Sequence, residues 1–309
     1  MLPKLPYIHQ HRPRLAPLAP EQHELARQLR RDIEILATDI GPRGTFAPAR
    51  YALAADFLES SRRNAGYSVT RHSTVSLDIE AFNLEAVLTG TRKPDRILIV
   101  GAHYDSVAGC PAANDNASGV AGVLAIARAL RGTPQPCTIR FVLFANEEPP
   151  HFNLDSMGSQ HYARSCRGRN DDLIGMVCLE TIGCYKHQPN SQSWPVKGLG
   201  LVLPSVGDFI TFVGPDSSRH FIRSAAAAFD AQNAFPLLAA AAPKAIDQIN
   251  WSDHRGFNEV GYEAFMVTDT APLRYEHYHL PTDTPERLDY ESMARVVTGL
   301  IGMTRTLAE

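Results

Sequence analysis

Three short apolar runs in this chain are each closed or followed by side chains able to bind a metal ion. RILIVGAH (96–103) closes on His103, TIRFVLFA (138–145) is followed by Glu147 and Glu148, and GMVCLE (175–180) closes on Glu180. Asp115 stands in PAANDNASGV just before a helical pattern, and His279 stands in YEHYHLPTDTPE. Apolar runs without polar alternation suit strands covered on both faces. In an open parallel sheet the carboxyl ends of the strands share one edge, where ligands bind, so residues far apart in sequence converge there. Taken singly, each has an ordinary explanation: a strand-end histidine as a hydrogen-bonded structural group, Glu-Glu as solvated charge, NDNASG as a helix cap. Together they are harder to explain that way. Carboxylates directly following a buried strand repel each other and lose hydration unless a cation compensates. Two imidazoles and three carboxylates suit a pair of zinc ions, which would lower the pKa of a bound water and polarise a carbonyl.

The elements that must position these residues are legible as a strand–helix alternation. Leu25, Leu29, Ile33 and Leu36 recur at helical spacing over 21–40, ended by Gly41-Pro42, and a second helix is expected over 49–64. Strand-like runs follow at 67–75 and 83–88, then the three runs above, then FITFVG (209–214) and EAFMVTDT (263–270). Helices are expected at 118–132, from 158 onward and at 285–307. Such alternation implies a largely parallel sheet with helices on both faces. The Pro-, Gly- and Ser-dense stretch 185–208 reads as a long functional loop. With no composition break to mark a linker, residues 1–309 are expected to form a single domain, the first 20 lying on its surface as an extended arm.

Composition narrows the function classes. With 30 basic and 33 acidic residues the net charge is −3, which gives no reason to expect nucleic acid or an anionic membrane as partner. No apolar stretch approaches the roughly 20 residues of a membrane span, and the amino terminus has no apolar signal core. Five cysteines without a CxxC pair argue against a disulfide framework. Cys178 and Cys184 flank Glu180 and are candidates to pair, but a reduced, cytoplasmic protein is the preferred expectation. A serine hydrolase is a poor rival, because no GxSxG follows a strand.

Taken in order, GAHYDS, NDNASGVA, NEE, GSQHYA, SDHRGF and YHLPTDTPE resemble the co-catalytic zinc aminopeptidase family, which also contains glutamate carboxypeptidase-like proteins and glutaminyl cyclases. The resemblance covers roughly residues 80–300. It implies an α/β three-layer sandwich, a mixed and mostly parallel sheet flanked by helices, acting on a peptide or small amide. It implies that Asp115 bridges two zincs, that His103 and Glu180 complete one site, and that Glu148 and His279 complete the other. Glu147 would be the general base toward a metal-bridging water, and Asp105 would orient His103. The activity implied is removal of amino-terminal residues. Rival readings are a cyclase-like acyltransferase holding one zinc through Asp115, Glu148 and His279, and a non-catalytic module on the same fold. Two departures stand out: many relatives have Asp in place of Glu180, and PPHFNLDSM (149–157) replaces a shorter link beside the Glu pair, where it is expected to reshape the substrate pocket. His151, His161, His254 and His277 compete for a ligand role, with His279 preferred. Tyr104, Phe257, Tyr262 and Tyr278 are aromatic residues near the motifs, more often core than substrate contacts.

Overall fold

A computed structural model of the chain describes residues 6–76, 79–196, 198–243 and 246–309. Its strands are β1 (Tyr7–His11), β2 (Val69–Ser76), β3 (Ile79–Leu88), β4 (Lys93–His103), β5 (Cys137–Phe144), β6 (Asp172–Leu179), β7 (Ile210–Pro215), β8 (Leu237–Ala242) and β9 (Ala264–Thr268). They form one sheet in the order β1-β8-β7-β9-β6-β4-β5-β3-β2. The heart of the sheet, β9-β6-β4-β5, is parallel throughout, as is β7 with β8, whereas β1, β2, β3 and the β7–β9 junction pair antiparallel. The result is the mixed sheet, with helices on both faces, that the sequence predicts.

The central strands carry apolar residues on both faces over most of their length because they feed two cores. Leu98, Val100, Phe141, Leu143, Val177 and Leu179 face the larger one. Ile97, Ile99, Val142, Phe144, Met176 and Cys178 face the other, the alternation a pleated strand imposes. On the larger core lie α1 (Pro20–Glu34), α2 (Pro48–Asn64), α3 (Gly119–Leu130), α5 (Arg219–Asp230) and α8 (Tyr290–Leu307). The smaller core is covered by α4 (Gly158–Arg169) and α6 (His254–Glu259). A short α7 (Ala271–Arg274) follows β9. Among the described residues no helix is long and apolar enough to cross a membrane.

Several boundaries differ from expectation for identifiable reasons. The first helix ends at Glu34 and continues as a π-helical turn (Ile35–Ile40), stopped by Gly41 at φ +77°. The closing helix starts at Tyr290, not Pro285: Pro285–Arg287 form a separate 3₁₀ turn, and the Asp289 carboxylate caps α8 by accepting from the Ser292 amide at 3.0 Å. Two elements, α5 and β8, are additional to those expected. α5 carries a helical spacing of its own, with Phe221, Ile222, Ala225, Ala226 and Phe229 buried on one face. The alanine run of β8 gives little apolar–polar contrast, and alanine is a poor strand former, so partners rather than propensity make β8 a strand. One partner is β1: the extended arm runs along the edge of the sheet and pairs antiparallel with β8. The first five residues of that arm lie outside those described.

Phe212 of β7 illustrates the packing. It is fully buried, with the rings of Phe229 and Phe265 each 5.2 Å away. Phe212→Ala is expected to cost about 3–5 kcal/mol, read as a lower urea midpoint at an unchanged slope.

Candidate metal centre and active site

His103 is the last residue of β4, Glu147 and Glu148 follow β5, and Glu180 follows β6 directly, so three adjacent parallel strands deliver them to one edge. His103 Nε2 lies 3.3 Å from Asp115 Oδ1 and 3.1 Å from Glu180 Oε2. On the other side of the same aspartate, His279 Nε2 lies 2.9 Å from Asp115 Oδ2 and 3.6 Å from Glu148 Oε2. The two oxygens of Asp115 thus face two donor sets, His103 with Glu180 and His279 with Glu148. Donors held at about 2.0–2.1 Å around a tetrahedral zinc sit roughly 3.3 Å apart, which is the spacing of each set. A further sign of fit is Glu148 Oε1, buried and without a hydrogen-bond partner among the described residues. Glu147 stands beside the first set, its Oε2 3.8 Å from His103 Nε2.

These side chains are held by a shell of hydrogen bonds. Asp105 accepts the backbone amides of both Glu147 (3.1 Å) and Glu148 (3.0 Å) and stands 3.5 Å from His103 Nδ1. One carboxylate therefore fixes the start of the Glu pair and stands beside the imidazole, whose Nδ1 has no hydrogen-bond partner among the described residues. Ser252 donates to Glu180 Oε2 at 2.7 Å. Asp283 accepts the amides of Asn114 (2.9 Å) and Asp115 (3.1 Å) and a bond from the Tyr275 hydroxyl (2.9 Å). The asparagines beside Asp115 tie its loop to the end of β6, with Asn116 bonding Leu179 O, Gly119 N and Thr181 N and Asn114 bonding Gly183 N. That junction is tight enough to require glycine at 119, where a Cβ would fall 2.4 Å from Leu179 O. Asn146, Thr181 and His279 are left-handed at φ +57°, +50° and +59°, conformations that non-glycine residues rarely adopt.

Asp105, Asp115, Glu147, Glu148, Glu180 and Asp253 are all buried, against the imidazoles of His103 and His279. Burial pushes the Glu147 carboxyl well above its ordinary range. His103 partly offsets this, and the charges of Glu180, Asp253 and Asp105 add to it. Burial likewise raises Glu148, with Asp115 and Glu147 contributing, and raises Glu180. Asp115 moves the other way: hydrogen bonds from His103 and His279 outweigh its burial.

The competing histidines fall elsewhere. His254 is buried with Nε2 2.7 Å from Ile249 O, and burial lowers its pKa to about 4, as befits a neutral structural group. His277 bonds Thr282, and His161 is exposed. His151 is buried with Nε2 3.0 Å from Thr45 Oγ1. It and Pro149 line a small cleft beside Glu148, and the 149–157 insertion takes no part in lining the large cavity described next. Tyr104 and Phe257 belong to the cores, and the Tyr262 hydroxyl bonds Asp171 O. All five cysteines are free and buried, so Cys178 and Cys184 do not pair.

Two features escaped the sequence reading. Asp253, in the SDHRGF motif, is fully buried with both oxygens unbonded among the described residues, and burial holds its carboxyl at about 7. The second is an apolar cavity of about 580 Å³ reaching the centre at Glu180, Thr181 and Tyr278. The Tyr278 ring stacks on His279 at 3.9 Å.

The raised carboxyls of Glu147, Glu148 and Glu180 favour the native state while protonated, and that contribution fades as pH climbs through their raised values. Lowered Asp115 stays ionised above about pH 5 and contributes a constant amount there. A bound cation replaces the lost protons, so stabilisation by zinc should grow between about pH 5 and pH 8. At a hundredfold excess over Kd the expected rise in Tm near neutrality is on the order of 5 °C. Thermal unfolding with zinc or with chelator measures it, and a gain that shrinks with pH would contradict the donor assignment.

Comparison with known proteins gives the chain its family. Residues 83–303 match the model of peptidase family M28. The chain is 34% identical over 288 residues to the uncharacterized protein YfbL of Escherichia coli, covering 91% of this chain and 88% of that one. It is 36% identical over 251 residues to aminopeptidase YwaD of Bacillus subtilis, covering 75% of this chain but only 47% of YwaD, so it spans about half of that relative. Two solved structures share the fold. BSAP, a zinc aminopeptidase from Bacillus subtilis, superposes with a TM-score of 0.69 at 17% identity over 90% of this chain and 94% of that one. Fimbriiglobus ruber glutaminyl cyclase gives a TM-score of 0.67 at 21% identity over 96% and 98%. With a donor set suited to zinc and the family model spanning the whole of it, the chain belongs to peptidase family M28 and is a zinc metallopeptidase by descent.

Proposed function

We propose that the chain is a two-zinc aminopeptidase working as one domain, with Asp115 bridging, His103 and Glu180 on one ion, and Glu148 and His279 on the other. The observation that carries this reading is the disposition of Asp115, whose two oxygens face separate imidazole–carboxylate pairs. When bound, the ions would supply electrophilic polarisation of the scissile carbonyl and a nucleophile at neutral pH. Glu147 is the general base: its Oε2 takes a proton from the attacking water and returns it to the leaving nitrogen. Asp105 does no proton transfer; it fixes the Glu147 backbone and stands beside the His103 ring. An α-ammonium group is the terminus best matched to a site crowded with buried carboxylates, because it forms charge-assisted hydrogen bonds where a neutral group would be buried unpaired. The name of the relative YwaD, an aminopeptidase, points the same way. Five free thiols support a reducing compartment.

Glu147→Gln is expected to retain close to two zinc equivalents while losing on the order of a hundredfold or more in rate. Glu148→Gln should instead lose one equivalent. Metal analysis beside kcat separates the two, and the reverse pattern would exchange their roles. A single equivalent in the unmodified protein would favour the cyclase-like reading.

Leucyl anilide against its N-acetylated form decides the terminus. The free amine should be cleaved faster by tenfold or more. Equal cleavage, or preference for the acetylated form, would remove the aminopeptidase assignment and leave a zinc hydrolase.

A further inference from the structure

The 580 Å³ cavity is far larger than one natural side chain needs; such a volume belongs to the range that encloses whole drug-sized ligands. Its shape follows from the sheet. The floor is the face of β9, β7, β8 and β1 opposite α5, met only by α6 at β9 and by the 3₁₀ turn Asp247–Asn250 at β7, and lined by alternate residues such as Met266, Val213, Leu238, Ala240 and Ile8. Crossing those four neighbouring strands takes three interstrand steps, roughly 14 Å. The near end opens on Glu180 and Tyr278, and the far end is walled by the amino-terminal strand β1. The roof is the long loop after β6, through Trp194 and Leu203. Among the described residues, Glu180 is the one charged group that lines the cavity.

Two sequence choices keep this trough open. β8 reads LLAAAA, and its cavity-facing residues at 240 and 242 are alanines, where the bulkier side chains usual in strands would fill the space. At the far end β1 is held in place from outside the cavity: His9 Nε2 lies 2.5 Å from Asp230, and Arg12 makes two bonds to Asp208 at 3.0 and 2.8 Å. Arg12 thereby joins the arm that walls the trough to the loop that roofs it. Ile8 is left facing the trough, 42% exposed.

We infer that this trough is a substrate subsite for a long apolar chain, aliphatic or aromatic, borne on the carbon next to the scissile carbonyl. The inference deepens the hydrolase reading and rests on it for orientation. The ammonium attracted by Glu180 and Glu147 sits on the same carbon as that side chain, so it is the amino-terminal residue's side chain, not the leaving group, that starts at Glu180. The substrate class is therefore an aminoacyl amide whose side chain extends well beyond leucine, the deeper part resting on Ala240 and ending against Ile8.

Two measurements on the full chain separate this subsite from the catalytic reading. Calorimetric titration of zinc-loaded Glu147→Gln protein, expected to keep its metal but to turn over on the order of a hundredfold more slowly, with the amides of norleucine, 2-aminooctanoic acid and 2-aminodecanoic acid tests the trough apart from hydrolysis. Affinity should rise about fourfold per added methylene. Turnover of the matching anilides tests hydrolysis, and kcat/KM should climb in parallel. Ala240→Phe should reduce the ratio of the longest to the shortest member by tenfold or more, and Ile8→Trp should reduce it only for the longest. Two variants at different depths guard against one that fails to fold. Affinity that peaks at norleucine and then falls, or a rise that neither variant alters, overturns the subsite. A binding series that rises without turnover of any anilide keeps the subsite and removes the hydrolase reading instead.

Discussion

The structure depends on one electrostatic constraint: six carboxylates are buried around the edge where β4, β5 and β6 end, and two imidazoles cannot balance them. Each buried anion costs several kcal/mol unless paired. Four buried carboxyls here (Glu147, Glu148, Glu180 and Asp253) are pushed upward, and only Asp115, between two imidazoles, is pushed down. Protonation or a divalent cation can relieve such a cluster. The donor spacing on both sides of Asp115 makes the second the better answer at neutral pH. What would be a defect in a structural core is what a bound cation would relieve.

Holding that geometry takes local structure that the chain would not choose unaided. Asn146, Thr181 and His279 occupy left-handed backbone beside or at the donors, a conformation that costs of the order of 1–3 kcal/mol each for non-glycine residues. Surrounding bonds over-determine it. The Tyr51 hydroxyl donates to the Asn146 side chain and accepts its amide, and Asn116 accepts the Thr181 amide. Asp105 and Asp283 each accept two backbone amides from segments that carry donors. The same acids that add to the negative charge also stiffen the loops, so rigidity and metal affinity come from one set of residues.

Much of this was legible in the sequence. Buried parallel strands leave unbroken apolar runs, and a donor directly after such a run has a known destination, which is why His103, Glu147, Glu148 and Glu180 could be placed together. Asp115 and His279 needed the resemblance as well, because they reach the edge from loops. What could not be read has a common cause: it depends on pairing between distant segments. β8 has no pattern of its own and becomes a strand between β7 and β1. The arm has alternating residues but nothing in them names β8 as partner. Asp253 precedes a histidine that looked the better candidate, and only the fold shows its carboxylate to be the group facing inward. The insertion at 149–157 was placed correctly beside Glu148 but serves the small cleft, since the large cavity opens on the Glu180 side.

The fold also divides its labour across the sheet. The half carrying β4, β5 and β6 is sealed by helices on both faces, and donors there are fixed to within the tolerance a metal demands. The half carrying β7, β8 and β1 has helices on one face only. On the other, loops and the amino-terminal strand enclose space instead of filling it, and small alanines replace the large residues that would close it. A sheet face left bare in water would be an aggregation hazard. Here a roof of irregular chain covers it without packing onto it, at the point where the strand order passes from the catalytic strands to the edge. Space was left unfilled on that side of the sheet. The loss is tolerable because α5, itself backed by α8, already anchors β7 and β8 from behind, which leaves their other face free to border a cavity.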